Sequence, residues 1–326
     1  MKILHLCPTF QNDTCGIGAY TRNLCAAIKK EFPDVLQSVL LNFSSVHQSM
    51  LEEHPDVMHI QLEYGFCSPQ RLMLVDEYCR LHKIPLFVTF HTLGTAPHNQ
   101  ALSWGTKLAH TPLSRNYGCF TLIPSGIPKQ EACSVVDLFQ KLNQREGEFL
   151  NYSKWENTYL FFGQAHPHKQ LLELLLLFKE HTDKRLVCIC SKPTQGSDEY
   201  WKECHTLAAT LENVCWIENY LDDREVLAVS TFCSTALFPY TEYGSIGISA
   251  AVKLLLNNLD LKIFTSYASH FSDLPDVGVV NKVERLEDML EQGLWHDKEA
   301  RKKFVEENSF EESARIHLRL YQGSLN

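Results

Sequence analysis

Long hydrophobic runs are missing from this sequence: no stretch reaches the ~18 consecutive apolar residues that a bilayer-crossing helix needs. Excess positive charge is missing as well. There are 30 basic side chains against 39 acidic ones, a formal net charge of −9, so the totals carry no electrostatic footprint for nucleic acid, although a local basic groove is compatible with them. The dense basic spots, Arg22 with Lys29 and Lys30, and Arg301-Lys-Lys303, read as solvated helix faces. Low-complexity tracts and residue-level repeats are absent. So is metal-site cysteine spacing. The 12 cysteines are scattered, and Cys188 and Cys190, which alternation puts on one sheet face, have no second pair to match them. They read as reduced core residues. An apolar strand opens the sequence with no signal peptide ahead of it, so a cytoplasmic, soluble protein is expected. What is present is core material: 44% hydrophobic residues over a length of 326 suits two domains.

Along the chain, apolar runs alternate with helical spacing. Met1 to Cys7 reads as a buried parallel strand. A loop over 9–18 closes on Cys15-Gly-Ile-Gly18, and Ala19 to Lys30 has helical periodicity, with Tyr20, Leu24, Ala27 and Ile28 on one face. Further strands are predicted at Val35–Phe43, Val57–Glu63 and Leu86–His91, with short ones at Lys107–Thr111 and Phe120–Pro124. The texture changes over 129–157, where Gln, Lys, Glu and Asn dominate and no strand is readable. A second β-α series then predicts strands at Tyr159–Phe162, Leu186–Cys190, Val214–Ile217, Ala236–Phe238, Lys262–Thr265 and Val277–Val280. The expected organisation is α/β, with one Rossmann-like domain over 1–128, a connection over 129–157, a second over 158–308, and a C-terminal helix over 309–326 crossing back to the first.

Two parallel-sheet domains imply a cleft onto which strand C-terminal ends open. The chemistry-bearing residues do follow strands. Gly16 and Gly18 follow the first, His91 the fourth, and Gly163 and Glu242 follow strands of the second series. The densest stretch is Ser234 to Leu256. It reads as a buried strand, a glycine-containing turn, and an apolar helix from about Ile246. Gly244, Ser245 and Gly247 would put bare amides at that helix's start, a phosphate cradle with Glu242 beside it. An ordinary tight strand-to-helix turn fits the same spacing. Asp222-Asp223 reads as a helix cap rather than a manganese site.

In order, Cys15-Gly-Ile-Gly-Ala-Tyr-Thr-Arg, Thr89-Phe-His91, Ile123-Pro-Ser-Gly-Ile-Pro128, Phe162-Gly-Gln-Ala-His-Pro-His-Lys169, Pro239 to Ala251 and Ile263 to Leu274 resemble segments of the retaining, family-four nucleotide-sugar glycosyltransferases. That family has the GT-B fold, two Rossmann-like domains facing across a cleft. The resemblance implies transfer of a sugar from a nucleoside-diphosphate sugar to an acceptor hydroxyl, with its anomeric configuration kept. It implies no cofactor and no metal. Lys169 corresponds to the lysine that contacts phosphate, Glu242 to the carboxylate that accepts from sugar hydroxyls, and His91 to a histidine that reaches sugar or acceptor. Donor contacts are expected from Gly16, Ile17, Gly18, Gly163, Gln164, Tyr243, Gly244, Ser245, Ile246 and Gly247.

Departures from the pattern matter. Gln164 replaces an arginine, so one cationic phosphate partner is missing. Ala250 replaces the glutamate that grips ribose, and Ser125 replaces a histidine. Arg115, Lys154, His166 and His168 are candidates to restore positive charge. The expected acceptor is a glycan or lipid-linked glycan. A sugar transferase acting on a DNA base, a sugar-nucleotide epimerase and a nucleotide-sugar-binding protein without turnover are the competing readings.

Overall fold

The computed structural model describes the chain except residues 13–14, 64–68, 92, 95–110, 115–120, 124–125, 153–156, 191, 193–197, 243–244, 247, 277, 292–296 and 326. The strands are β1 (Lys2–Leu6), β2 (Leu36–Leu40), β3 (Val57–Leu62), β4 (Leu86–Phe90), β5 (Leu93–Gly94), β6 (Thr111–Ser114), β7 (Thr121–Leu122), β8 (Thr158–Phe162), β9 (Arg185–Ile189), β10 (Val214–Ile217), β11 (Thr235–Phe238), β12 (Ser245–Ile246), β13 (Lys262–Thr265) and β14 (Asn281–Lys282). They fall into two compact units. One comprises 1–128, 244–248 and 306–326; the other comprises 129–243 and 249–305.

The first unit is built on a six-stranded parallel sheet in the order β2-β1-β3-β4-β6-β7. Its central strands are mostly apolar because both faces are covered, with His5, His59, Gln61 and Thr89 buried among the apolar residues. Every residue of β3 and β4 is buried. One face packs Leu4, Leu6, Met58, Ile60, Val88 and Phe90 against the helix Pro69–Leu81 through Leu72, Val75 and Cys79. The other face packs Ile3, Val57, Phe87 and Ile123 against Leu318 and Tyr321 of the last helix, Phe310–Gly323. That helix also meets the first helix, Gly16–Glu31, through Phe310 and Ala314 on Tyr20, Leu24 and Ile28. Mutual backbone bonds of Ile127 and Phe310 with Asn308 and Ile127 carbonyls seat its start. The predicted return of the C-terminal helix to the first unit is therefore observed.

The second unit has its own six-stranded parallel sheet, β10-β9-β8-β11-β13-β14. Counted within the unit this is the order 3-2-1-4-5-6, the doubly wound arrangement of dinucleotide-binding folds. Cys188 and Cys190 point to one face, as alternation requires, and pack with Leu174, Phe178 and Cys204. The described cysteines are all free. Asp222 caps the helix Asp223–Ser230, accepting from the Glu225 amide at 3.0 Å while Glu225 returns a bond to the Asp222 amide at 2.8 Å. This reciprocal capping box bears out the reading of Asp222 as a cap.

Several local expectations need correction. The helix predicted from Ala19 starts at Gly16, because Cys15 is extended and serves as its N-cap. The helix predicted from Ile246 starts at Ala250 and ends at Leu255. Ser245 and Ile246 instead form β12, antiparallel to β5, with Ser245 opposite Gly94 and Ile246 opposite Leu93. Extended pairing outcompetes helix here because the β-branched Ile246 fits a strand better than a first helical turn. The last strand lies at Asn281–Lys282 rather than 277–280, since Gly278 turns the chain at φ 96° ahead of it. The 129–157 segment carries two helices, Val135–Lys141 and Gln144–Tyr152, within the second unit. Arg301 is not on a solvated face. It is fully buried and donates to the carbonyls of Val279, Asn258 and Leu261, and burial lowers its pKa to about 10.

Candidate functional site

The predicted site residues divide between the two units. In the second unit the decisive strands are β8 and β11. They are neighbours in the sheet although distant in sequence, and the crossovers diverge on either side of them. Loops at such a switch point leave a crevice beyond the strand ends, where open α/β sheets bind ligands. Gly163 follows β8 directly. It holds φ 147°, a region closed to side-chain-bearing residues, and a Cβ there would lie 3.1 Å from Lys169 Nζ and 3.7 Å from the Tyr240 hydroxyl. Lys169 ends the single 3-10 turn Pro167–Lys169, which Pro167 starts and left-handed Gln170 (φ 53°) closes. Its ammonium sits 5.4 Å from the Tyr240 ring centroid.

Tyr240 follows β11, and its loop is fastened on both sides. The Thr241 amide donates to the His168 carbonyl at 2.7 Å, and Ser266 Oγ donates to the Tyr240 carbonyl. Tyr240 is only 3% exposed, yet its hydroxyl has no hydrogen-bond partner among the described residues. A buried hydroxyl left unpaired costs free energy unless a ligand or water satisfies it. Glu242 is exposed and accepts from the Ser269 amide at 2.7 Å on one carboxylate oxygen and from Ser269 Oγ at 2.8 Å on the other. Each oxygen keeps acceptor capacity.

Three imidazoles line the same region. His168 stacks on His166 with centroids 5.5 Å apart and planes 16° apart, and on His270 at 5.5 Å and 14°. Both His168 and His270 present to the Tyr240 ring nearly edge-on, at 5.9 and 5.7 Å. His166 Nε2 donates to Gln164 Oε1 at 3.2 Å. Burial first, and the Lys169 charge second, push all three histidines down, His168 to about 3.

In the first unit, Gly16, Ile17 and Gly18 form the opening turn of the first helix, at the end of the loop that follows β1. The Ala19 amide is the first to reach back, to the Cys15 carbonyl at 2.9 Å, so the preceding amides have no acceptor within the helix. Gly18 is required sterically: a Cβ would stand 2.2 Å from the Thr9 carbonyl oxygen. Arg22 folds over the same loop, donating to the carbonyls of Phe10 and Asn12. His91 follows β4 and is 4% exposed. Its Nε2 meets Gln61 Oε1 at 2.8 Å, and its ring stands edge-on to Tyr20 at 5.1 Å. Behind it lies a buried polar chain. The Gln61 amide reaches His59 at 3.3 Å, His59 meets Thr89 Oγ1 at 2.8 Å, and Tyr321 OH meets His59 Nδ1 at 2.6 Å.

Tyr243, Gly244 and Gly247, expected at the donor, lie outside the described residues, as do Arg115 and Lys154. Ser245 and Ile246 belong to a strand of the first unit, so their amides do not form a helix N-terminus. Sequence reasoning missed Tyr240, Ser269 and His270. Tyr240 and Glu242 share one short loop, and His270 sits in the loop after β13, the neighbour of β11. A search of strand-following loops would have reached both. The described residues contain no group of three His, Cys, Asp or Glu side chains arranged to hold a metal ion.

No protein-family model matches the sequence, and no curated protein matches it significantly. Solved structures do match in shape. HepE of Anabaena, in complex with UDP and glucose, superposes with a TM-score of 0.67 at 12% identity, covering 99% of this chain and 100% of that one. The fold is GT-B. A glycosyltransferase from Rickettsia africae shares it at TM-score 0.66 and 12% identity, covering 100% and 98% of the two chains. E. coli trehalose-6-phosphate synthase, bound with UDP-2-fluoro glucose, shares it at TM-score 0.66 and 9% identity over 98% and 99%. GT-B accounts for both six-stranded sheets and for the last helix returning to the first unit.

Proposed function

We propose that this protein is a retaining glycosyltransferase that moves a sugar from a nucleoside-diphosphate sugar to a hydroxyl of a glycan or lipid-linked glycan. The observation that carries this reading is the meeting of Gly163, Lys169 and Tyr240 beyond the ends of β8 and β11, with Glu242 two residues on, bonded to Ser269. An ammonium and an unpaired buried hydroxyl beside a bare backbone suit a diphosphate, and an exposed carboxylate on the adjoining loop suits sugar hydroxyls. That GT-B structures of similar shape hold UDP or UDP-sugars supports UDP as the donor nucleotide.

In this reading the acceptor oxygen bonds to the anomeric carbon as the bond from that carbon to the β-phosphate breaks. The acceptor proton passes to the departing phosphate. Lys169 stabilises the charge that grows there, the kind of preorganised contact worth several kcal/mol in transfer reactions. No step calls for a divalent metal. His91, bonded to Gln61 at the end of β4, takes the part of the histidine that reaches sugar or acceptor. A cytoplasmic setting is part of the proposal, since the described cysteines are all free and most are buried, which suits a reducing compartment.

A nucleotide-sugar-binding protein without turnover is the second reading, favoured by Gln164 and Ala250, where charge and ribose grip are lost. Calorimetric titration with nucleotide sugars followed by product detection separates the two. Lys169→Ala and Glu242→Ala are each expected to lower kcat/KM by about a hundredfold, on the scale of removing one preorganised transition-state contact, with melting temperatures close to wild type. Unimpaired turnover in both variants refutes the site, and binding without any product favours the second reading. Offering glycans, lipid-linked glycans and DNA as acceptors, with NMR of the product anomer, tests acceptor and retention.

A further inference from the structure

The stack of His166, His168 and His270 has no role in the reaction as written above, and packing alone is a poor account of it. Beside the ammonium the imidazoles are held neutral, since burial and Lys169 both oppose charging them. The three come from two loops far apart in sequence. The 3-10 turn supplies His166 and His168, and the loop after β13 supplies His270, held in place through the Ser269 bonds to Glu242. His270 Nδ1 is buried and has no hydrogen-bond partner among the described residues, like the Tyr240 hydroxyl whose ring it adjoins. Two buried polar atoms without a partner among the described residues and one ammonium thus gather around the Tyr240 ring.

We propose that this stack is the second cationic partner of the donor diphosphate, His168 or His270 taking up a proton as the anion binds. The inference rests on the donor-site reading given above. It answers the deficit left by Gln164, which holds His166 by a hydrogen bond in place of contributing a charge itself. Among the described residues, the groups acting on the stack include Lys169, Glu242 and, at His168, the two neighbouring imidazoles. Lys169, on the same turn, disfavours protonation of all three histidines, and Glu242, from the loop after β11, favours it at His270. Tyr240 contributes its ring, against which His168 and His270 stand edge-on, and Cys190, after β9, stands within the field of Lys169. A diphosphate neutralises Lys169 and reverses the sign of the local field. The stack is therefore neutral in the free protein and cationic in the complex. The proton raises affinity as pH falls, by up to about tenfold per pH unit where uptake is complete.

The experiment is calorimetric titration of a panel of UDP-, ADP- and GDP-hexoses, phosphodiesters whose own charge is fixed near neutrality. Each is titrated at pH 7 in two buffers of different ionisation heat, and the tightest binder is followed from pH 6 to pH 9. Uptake of about half to one proton per ligand is expected, with affinity falling as pH rises. The double variant His168→Asn/His270→Asn should lose the uptake and the pH dependence, approaching wild-type affinity at pH 9. Lys169→Ala should weaken binding at every pH. Tight binding by the wild type without proton uptake overturns the inference and leaves the donor site standing, a result that needs no variant to fold. Uptake retained in the double variant overturns it as well. Failure of every nucleotide sugar to bind refutes the donor site itself.

Discussion

Stability of the first unit should fall steeply between pH 7.5 and pH 5, because histidines are buried there in neutral form. His5 and His317 are fully buried, and desolvation is the first cause that lowers each from 6.5 to about 4. His59 is lowered further by the same burial and by its histidine neighbours. When folding depresses a histidine, the unfolded chain binds the extra proton. Stability is complete above the unfolded value and is lost as pH falls from about 6.5 toward the folded value of about 4. At pH 5 an unfolded imidazole is about 97% protonated and a folded one with a value near 4 about 9%, so each contributes about 2 kcal/mol of destabilisation relative to pH 7.5. His5 and His317 together therefore cost about 4 kcal/mol, a large share of a domain's margin of ~5–15 kcal/mol. His317→Asn isolates one contribution. Its amide can replace Nδ1 at the Ser313 carbonyl, 2.7 Å away, while the Nε2 that has no hydrogen-bond partner disappears. At pH 7.5 the variant should lose about 1–2 kcal/mol of packing, but between pH 7.5 and 5 it should lose about 2 kcal/mol less than wild type. Urea unfolding at both pH values, with native-state hydrogen exchange of β1 and β3 as the local probe, measures this. An identical pH slope in variant and wild type would refute the assignment of His317 as a buried neutral group.

Gly18→Ala should destabilise the first unit by about 2–3 kcal/mol or prevent its folding, because the new methyl meets backbone. Gly16→Ala meets nothing within 4 Å, so its melting temperature should stay the same or rise. Asp222→Ala removes a capping box and should cost about 1–2 kcal/mol in chemical denaturation of the second unit. Gly163→Ala should cost about 1–3 kcal/mol from its φ alone. It should also displace Lys169 Nζ, seen as weaker nucleotide-sugar binding beyond the loss in stability.

Most strands were legible because a buried parallel strand is written as a short, mostly apolar run, as in Tyr159 to Phe162 and Leu86 to Phe90, the latter broken only by Thr89. Asp222 was legible because capping is local. What could not be read depended on partners far along the chain. Ile246 looks like the start of an apolar helix until Leu93 is known to lie opposite it. Arg301 looks solvated, like its neighbours Lys302 and Lys303, until the carbonyls of Val279, Asn258 and Leu261 are seen around it. The site shows the same division. Gly163 and Lys169 sit in one short motif and could be paired from sequence, whereas the stacking of His270 on His168 depends on β11 and β13 being neighbours in the sheet.

The last helix has a consequence for how the protein is made. Residues 310–321 supply Phe310, Ala314, Leu318 and Tyr321 to the clusters beneath the opening sheet, and Tyr321 reaches back 262 positions to touch His59. On the ribosome the first half is therefore synthesised early and completed late. Its underside waits, uncovered, while the whole second unit emerges, so the half translated later can reach its native state earlier, and the exposed apolar patch in the interval is where a chaperone would bind.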